Sequence, residues 1–545
     1  MIKSSSFAKI KVDGQIHAGF RHELEQGPRA GLAKSFRSRG VGSKIDYEPI
    51  SSQNNDSLGE ILEFRFSNQS IGELYIEGAG LVTSYGIFGA PGSGKTVLLM
   101  HLLEQVLGHS AREPDKRYGA LILDPKAALI DDITEIAKKT GRLDDLDIIS
   151  TNDLNERGKK VNVIDCSLDP YELGSILVLA GRSAGIDASD PFWFQEWSNL
   201  FASTFSLLRT EAWLNMPMSG QTPVTLRQLI DALFEEVDAD EVRGYPRERI
   251  VQRLVRTLSK RLNQLPNDMR HDVLVDIRQI ERFYRQNYAG TIEAFITKAF
   301  GMFRRWKYQC YSDDTPGPGR PPFYEDIIEN GRIVLVSISP SEPILAKTLC
   351  TLIKCLFQRT VLSRGQNPAI ANQRPLVIAC DEYSEIASEV PGQSMGDGQF
   401  LALARQYGCM AIFATQSVNV LEASSLRETW RSVFSNFAAK FYMRLVDNET
   451  AEEATKLAGE SDWKLISRGR SLSKGGPAAS IQRDIQKREN LPTTILTQVL
   501  KTGQAVVIGS LDGGRTIPGT YFLRVPFEEK IVPSLDMKSS KKTTV

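Results

Sequence analysis

The sequence predicts an α/β protein with a mainly parallel sheet that is interrupted by an all-α insertion domain. Strand and helix patterns alternate on both sides of a middle segment, and such alternation is typical of parallel sheets. Between residues 225 and 308 the strand patterns vanish, and apolar residues recur at helical spacing, as at Ile250 and Leu254. The chain has 545 residues, of which 41% are apolar, so it has material for a sizeable core.

These patterns divide the chain into five segments. The first 50 residues carry nine Lys/Arg against five Asp/Glu, and residues 465–490 are polar, basic and Gly/Ser-containing, which predicts a mobile loop. We expect a basic, partly ordered arm at 1–57, the first part of the α/β domain at 58–209, the all-α insertion at 210–322, the second part at 323–527 and a tail at 528–545.

Short β-branched, aromatic and apolar runs mark the strands, and longer apolar periodic segments mark the helices. Strands are expected at 61–66, 73–76, 85–88, 120–123, 147–149 and 161–164, and after the insertion at 333–338, 376–380, 410–414, 439–445, 505–508 and 520–525. Helices outside the insertion are expected at 97–107, 194–208, 344–362 and 400–406.

Composition excludes several classes of protein. The 66 basic and 66 acidic side chains balance, which excludes a uniformly polycationic nucleic-acid coat and an acidic tail protein. The longest apolar runs are far shorter than the ~20 residues that span a bilayer, so no transmembrane helix is expected. Residues 1–11 lack the apolar stretch of a secretory signal. Six cysteines without a C-x-x-C pair, several of them in apolar runs, favour a reducing cytoplasm. We therefore expect a cytoplasmic protein, and peripheral association with the inner face of the cell membrane stays open.

A glycine-rich loop joins a predicted strand to a predicted helix. Residues 89–96 match G-x-x-x-x-G-K-[ST], in which backbone N–H groups cradle phosphates and the helix N-terminus adds positive potential. Lys95 would reach the β/γ-phosphates of ATP, and Thr96 would ligate Mg²⁺. The alternative is an ordinary tight turn before a helix. The predicted nucleotide site comprises Gly89, Ala90, Pro91, Gly92, Ser93, Gly94, Lys95 and Thr96.

Two further buried strands end in polar residues. Asp381 and Glu382 follow the run 376–380, at the carboxyl edge where open α/β sheets bind ligands. We expect Asp381 to hold Mg²⁺ through water and Glu382 to polarise the attacking water, unless the pair merely ends a core strand. Gln416 follows the strand at 410–414, and its amide can sense the γ-phosphate or the water.

Arg405 lies eleven residues before Gln416, on a predicted surface helix. A guanidinium there could act in trans, as a finger into the nucleotide site of a neighbouring subunit. The alternative is a solvated helix charge.

With these motifs in view, the chain resembles the coupling-protein ATPases of conjugative type IV secretion, the TraD/TraG-like branch of the FtsK/HerA superfamily. The resemblance covers roughly residues 60–525 and includes Leu123–Lys126, which is similar to the Asp-Pro-Lys-Gly strand end of that family. It also includes Asp190–Trp193 at a helix start, and Ser435–Lys440 followed by Asp447–Ala451. Each motif is weak alone, but their order and spacing are specific.

The resemblance implies a RecA-like P-loop core that uses ATP and Mg²⁺, with Glu382 as the catalytic carboxylate, Gln416 as the sensor and Arg405 as the finger. It also implies a homo-oligomeric, hexameric ring that translocates DNA, with a relaxase or relaxosome and type IV secretion channel components as partners. The insertion would then be the all-α domain that faces the substrate strand. Two departures are the expected lack of N-terminal transmembrane helices and Ala127, where the family tends to have glycine.

The candidate DNA contact is the basic middle segment. Residues 241–310 hold 15 Lys/Arg against 7 Asp/Glu, an excess of 15 − 7 = +8, so a neutral chain has a locally positive face. Residues 303–308 interleave cations with aromatics, a mixture that binds strand phosphates and stacks bases. The alternative for that short run is an amphipathic helix with core aromatics.

Two other functions remain open on the sequence. The same motor core occurs in secretion-assembly ATPases, which move protein and never touch DNA. It also occurs in soluble HerA-like DNA motors of repair or phage defence, and the expected lack of a membrane segment favours this second alternative.

Overall fold

The architecture comes from a computed structural model, which describes residues 15–22, 24–28, 62–66, 72–151, 161–183, 185, 190–215, 224–237, 248–305, 321–364, 374–389, 396–473, 476–514 and 519–525. The strands are β1 (Gln15–His22), β2 (Leu24–Pro28), β3 (Leu62–Phe66), β4 (Gly72–Glu77), β5 (Ser84–Phe88), β6 (Gly119–Asp124), β7 (Leu146–Ser150), β8 (Glu236–Val237), β9 (Glu248–Arg249), β10 (Ile333–Ser337), β11 (Leu376–Cys380), β12 (Cys409–Thr415), β13 (Ala439–Tyr442), β14 (Glu460–Ser473), β15 (Gly476–Glu489), β16 (Gln504–Gly509) and β17 (Gly519–Arg524). The helices are α1 (Lys95–Gly108), α2 (Ile130–Lys139), α3 (Pro170–Ser183), α4 (Pro191–Asn215), α5 (Leu226–Phe234), α6 (Ile250–Arg261), α7 (Asn267–Arg285), α8 (Ala289–Ala299), α9 (Phe323–Asn330), α10 (Pro343–Ser363), α11 (Asp397–Ala404), α12 (Val418–Ala423), α13 (Trp430–Ser435) and α14 (Asn448–Ala458).

One large sheet organises the protein. Its strand order is β4-β1-β17-β16-β13-β5-β12-β11-β6-β10-β7. The strands from β13 to β7 run parallel to one another, and β16, β17, β1 and β4 extend the sheet with antiparallel pairs. The central parallel strands are buried along their whole length, which explains their continuous apolar runs. The prediction of a mainly parallel α/β sheet is confirmed.

The two faces of the sheet carry different helical layers. Helices α1 and α2 pack on one face, and the larger core on the other face includes α3, α4, α10 and the helices of the middle segment. Helix α4 packs against α3, α6 and α7, so the helical unit incorporates elements that precede the expected boundary at residue 210, which lies inside α4. Gly174 permits the close α3–α4 contact, because a Cβ there would lie 2.2 Å from the Ser198 carbonyl oxygen.

Two segments differ from their predicted structures. Residues 161–164, expected as a strand, pair with no strand among the described residues. Their apolar side chains pack into the larger core, and hydrogen bonds from the Asn162 amide and the Tyr324 hydroxyl hold the segment against the helical layer. Residues 465–473 and 476–489 of the expected loop instead lie in a two-stranded antiparallel ribbon, in which β14 pairs with β15. Backbone pairing builds this ribbon without the alternation of apolar and polar residues that identifies a half-buried strand.

Lys440, in β13, is a lysine buried in the core, and its burial affects the pH dependence of stability. Its side chain is buried, and its ammonium donates to the Phe437 carbonyl 2.9 Å away and lies 4.8 Å from the centre of the Phe434 ring. Burial lowers the pKa of Lys440 from 10.5 to about 8. The folded state therefore disfavours the protonated amine, and stability should rise as the pH increases from about 8 towards 10.5.

We expect Lys440→Met to raise the midpoint of thermal unfolding at pH 7. The lowering of the Lys440 pKa from 10.5 to about 8 corresponds to a destabilisation of the folded state of roughly 3 kcal/mol, at ~1.4 kcal/mol for each pKa unit. The advantage of the variant should shrink above pH 8, because wild-type Lys440 can then be buried neutral. A variant that is less stable than wild type at pH 7 would show that the ammonium is better solvated than its burial indicates.

Candidate active site

The glycine-rich loop lies at the carboxyl edge of the sheet, between β5 and α1. The N–H of Gly89 donates to the carbonyls of Thr415 and Gln416 at 3.3 and 3.2 Å, and the N–H of Ala90 donates to the Arg444 carbonyl at 2.8 Å. Gly92 and Gly94 have φ values of +72° and +103°, a left-handed conformation that favours glycine. The strand, turn and helix therefore have the order that a phosphate-binding loop requires.

Lys95 begins α1 and is buried, with 6% of its surface exposed. Its ammonium donates to the carbonyl oxygens of Gly89 at 2.7 Å and Ala90 at 3.3 Å. Burial lowers the pKa of Lys95, and the charges of Glu382 and Asp381 act in the opposite direction. A cation held among the loop carbonyls is well placed for the phosphates of a bound nucleotide.

Thr96 and Asp381 come together although 285 positions separate them in sequence. The Thr96 hydroxyl donates to Asp381 Oδ2 at 2.8 Å, whereas Oδ1 is buried and has no hydrogen-bond partner among the described residues. Burial raises the pKa of Asp381, and the bond from Thr96 partly offsets this effect. A buried carboxylate oxygen without a partner, beside a hydroxyl, fits the all-oxygen ligand set that Mg²⁺ prefers, so these two residues could hold the ion.

Glu382 lies beside Asp381 in a left-handed backbone conformation, with φ +58° and ψ +51°. One carboxylate oxygen accepts from the Lys126 ammonium at 2.5 Å, and the other accepts from the Gln416 amide at 3.2 Å. The carboxylate is thus held from two sides. A non-glycine residue in this conformation costs of order 1–3 kcal/mol and must be held by its surroundings.

The loop after β6 positions Lys126. The buried Asp124 carboxylate accepts from the Leu129 N–H at 2.8 Å and from the Ser337 hydroxyl at 2.8 Å, and this fixes the turn that follows the strand. Ala127 in this turn has φ +54°, a left-handed value that favours glycine and accounts for the glycine expected there from the resemblance. Sequence reasoning noted the Asp-Pro-Lys run but gave Lys126 no role.

Residues 502 and 503, which lead into β16, were not predicted as part of the site. The Thr502 hydroxyl donates to the Gly92 carbonyl at 3.1 Å, and the Gly503 N–H donates to the Ser93 carbonyl at 3.1 Å. No motif marks this segment, because its contribution is one side-chain and one backbone hydrogen bond to the loop, and only the folded chain creates them.

Arg405 lies away from this cluster. It is exposed and follows α11, just before β12 begins at Cys409, whereas the glycine-rich loop contacts the other end of β12 at Thr415. At ~3.3 Å per residue, the seven-residue strand separates the two ends by about 20 Å. The structure therefore brings together the predicted residues of the loop, Asp381, Glu382 and Gln416, and it places Arg405 outside the site of its own chain.

For the basic run at 303–308, the sequence left two interpretations open, a DNA contact and an amphipathic helix with core aromatics. Phe303 is fully buried, and Arg304 pairs with Asp231 and Glu235 while its guanidinium lies 4.3 Å from the Phe234 ring centre. Arg304 is therefore engaged within the helical layer, as in the amphipathic alternative. Residues 306–308 lie outside the described residues.

The glycine-rich loop and the acidic pair lie at the same carboxyl edge of a mainly parallel sheet, an arrangement that is typical of P-loop proteins with a RecA-like fold. Residues 375–500 match the family described as "TraM recognition site of TraD and TraG". This stretch contains the acidic pair and Gln416. Comparison with curated proteins found no significant match.

Solved structures of a bacterial conjugative coupling protein have a fold similar to that of this chain. The bacterial conjugative coupling protein TrwB, unbound, matches with a TM-score of 0.52 and 15% identity over 82% of this chain and 86% of that chain. TrwB with a non-hydrolysable GTP analogue matches with a TM-score of 0.51 and 14% identity over 94% and 96% of the two chains. TrwB with a non-hydrolysable ATP analogue matches with a TM-score of 0.50 and 15% identity over 83% and 87%.

The predicted resemblance to conjugative coupling proteins is thus confirmed, through a family match over residues 375–500 and a shared fold along most of the chain. Within the described ranges, no helix is long and apolar enough to cross a membrane.

Proposed function

We propose that this protein is the ATP-driven translocase of a conjugative DNA-transfer system, and that it delivers DNA or a nucleoprotein complex to a type IV secretion channel. The observation that carries the proposal is the buried, unpartnered Asp381 oxygen beside Thr96, next to Glu382, on a fold shared with a coupling protein. The solved structures of TrwB in complex with nucleotide analogues support nucleotide binding by this protein.

In the proposed mechanism, the loop N–H groups and Lys95 bind the phosphates of ATP, while Thr96 and Asp381 hold Mg²⁺. The ion would neutralise charge that develops on the phosphates. Glu382 orients and polarises the attacking water. Gln416, which donates a hydrogen bond to Glu382, senses the γ-phosphate. Lys126 holds the Glu382 carboxylate in place through its 2.5 Å contact.

Oligomerisation and partners form the second part of the proposal. Arg405 lies at the opposite edge of the sheet from the site of its own chain, so a finger role requires the site of a neighbouring subunit and therefore a homo-oligomer. A hexameric ring is the form that the resemblance to coupling proteins implies. The match to a TraM recognition segment supports a relaxosome component or relaxase as a partner. The five described cysteines are free and buried, which suits the reducing cytoplasm.

The nucleotide site is tested by Lys95→Ala. Purified wild-type protein should hydrolyse ATP with Mg²⁺, and the variant should lose nucleotide affinity because it lacks the ammonium that the loop would present to the phosphates. Fluorescent-nucleotide titration measures the affinity. Lys138→Ala, which removes an exposed lysine on α2, is the control and should bind as wild type. Wild-type turnover in Lys95→Ala would refute the assignment of the loop.

Nucleic-acid binding separates the proposal from a secretion-assembly ATPase that acts on protein alone. Helix α7 carries Arg278 and Arg285 seven positions apart on its exposed side, where they can bind phosphates. We expect Arg278→Gln with Arg285→Gln to weaken DNA binding and to flatten its salt dependence, by ~0.7–0.9 in log K per decade of salt for each phosphate that is no longer neutralised. Hydrolysis without DNA should not change.

The matched control removes two exposed charges from the other side of the sheet, Arg112→Gln with Lys138→Gln. Binding is measured by fluorescence anisotropy on single- and double-stranded DNA across a salt series. If the intact protein bound no DNA at low salt, the protein-only alternative would gain most. A HerA-like repair or defence motor would still bind DNA, and a neighbouring nuclease gene, as opposed to a relaxase gene, would favour it.

A further inference from the structure

A buried polar network includes Tyr383, the residue that directly follows the acidic pair Asp381 and Glu382. Lys354 on α10 and Asp397 at the start of α11 are fully buried, and the Lys354 ammonium donates to Asp397 Oδ2 at 2.6 Å. The same ammonium donates to the Ile386 carbonyl at 2.6 Å and to the Ser388 hydroxyl at 2.9 Å. The predicted site included none of these residues, and the sequence of α10 is that of an apolar core helix.

The Asp397 carboxylate accepts hydrogen bonds on both of its oxygens. Oδ2 also accepts from the Tyr383 hydroxyl at 2.7 Å and from the Ser388 N–H at 2.8 Å, and Oδ1 accepts from the Gln358 amide at 2.9 Å. Removing two charges from water is costly, and hydrophobic residues of similar volume would often be as stable. A stability role alone is therefore a weak explanation for this ion pair.

Tyr383 connects the network to the catalytic carboxylate, since it is the residue that follows Glu382. Its ring stacks on Phe413 with centroids 4.4 Å apart and an 8° angle between planes, and the Lys354 ammonium lies 5.6 Å from the ring centre. The Tyr383 side chain is thus fixed from three directions. Glu382 itself has the left-handed backbone that its surroundings must impose.

We propose that Lys354, Asp397 and Tyr383 are positioning residues that clamp the backbone after Glu382 and so hold its carboxylate where it can act on the attacking water. The inference rests on the proposed ATPase function and deepens it. Lys126 and Gln416 fix the end of the Glu382 side chain, whereas the buried network fixes the peptide from which that side chain starts. The hydrogen bonds of the network described above involve no residue of the phosphate loop, so nucleotide binding should not depend on the network.

The test is Tyr383→Phe, which keeps the ring stacked on Phe413 and removes only the hydroxyl bond to Asp397. Misplacement of a reacting group by about 1 Å can cost ~10²-fold in rate, so we expect kcat for ATP to fall about 10- to 100-fold with KM unchanged. The matched control is Tyr118→Phe, which removes an equally buried hydroxyl whose 2.8 Å bond goes to the Leu81 carbonyl. Tyr118 precedes β6, at the opposite edge of the sheet from the acidic pair.

Both variants should lose similar thermal stability, because each loses one buried hydrogen bond, but only Tyr383→Phe should lose turnover. A second variant, Gln358→Met, removes the donor to Asp397 Oδ1 and should lower kcat in the same direction by a smaller factor. Unchanged kcat in the folded Tyr383 and Gln358 variants, with wild-type hydrolysis intact, would overturn the inference alone. A wild-type protein that binds ATP without hydrolysing it would overturn the proposed function together with the inference.

Discussion

The Glu382→Gln variant should bind ATP as tightly as wild type and hydrolyse it about 10²–10⁴-fold more slowly. The glutamine amide has the same shape as the glutamate carboxylate, but it cannot accept a proton from the attacking water. The variant should fold, because Lys126, which loses its charged partner, is 48% exposed and can be solvated. Binding is measured by titration with a fluorescent nucleotide, and turnover by phosphate release under saturating ATP and Mg²⁺.

Glu385→Gln is the matched control. Glu385 lies three residues further along, is exposed, and pairs with Lys347 on the surface, so its loss should leave turnover unchanged. Rapid hydrolysis by Glu382→Gln would move the catalytic role to another group. A variant that lost ATP affinity instead would show that the carboxylate supports binding rather than the chemical step.

The Arg405→Ala variant should be inactive alone and should regain hydrolysis when mixed with Glu382→Gln. An arginine finger contributes about 10³–10⁵-fold to turnover, so each variant should be nearly silent by itself. In mixed rings, some interfaces pair an intact carboxylate with an intact finger from the neighbour. The physical basis is the position of Arg405, about 20 Å along β12 from the nucleotide loop of its own chain.

The experiment measures phosphate release over a series of mixing ratios, after light scattering has confirmed assembly. Wild-type activity should also rise steeply with protein concentration, because an isolated subunit lacks a finger. Arg112→Ala, which removes an exposed arginine near the end of α1, should keep wild-type activity at every concentration. Mixed rings that assemble and stay inactive would argue against a finger in trans.

The local motifs of the sequence determined the core of the candidate nucleotide site. The loop at 89–96 and the residues after β11 and β12 could be predicted because each is a short segment with a fixed place relative to its own strand. In a parallel sheet the carboxyl ends of neighbouring strands meet at one edge, so separate motifs converge without further information. The sheet itself was predictable because its strands are buried on both faces and therefore appear in the sequence as continuous apolar runs.

Contacts between distant segments were decided by the tertiary structure alone. Lys126 faces Glu382 across 256 positions, and Lys354 meets Asp397 inside the core, where a single lysine in an apolar helix gives no sign of its partner. The incorporation of α3 and α4 into the helical layer depends on how two helices pack at Gly174. A sequence pattern records which residues an element contains, whereas the partner of a buried charge depends on which elements pack together, and packing is a property of the whole folded chain.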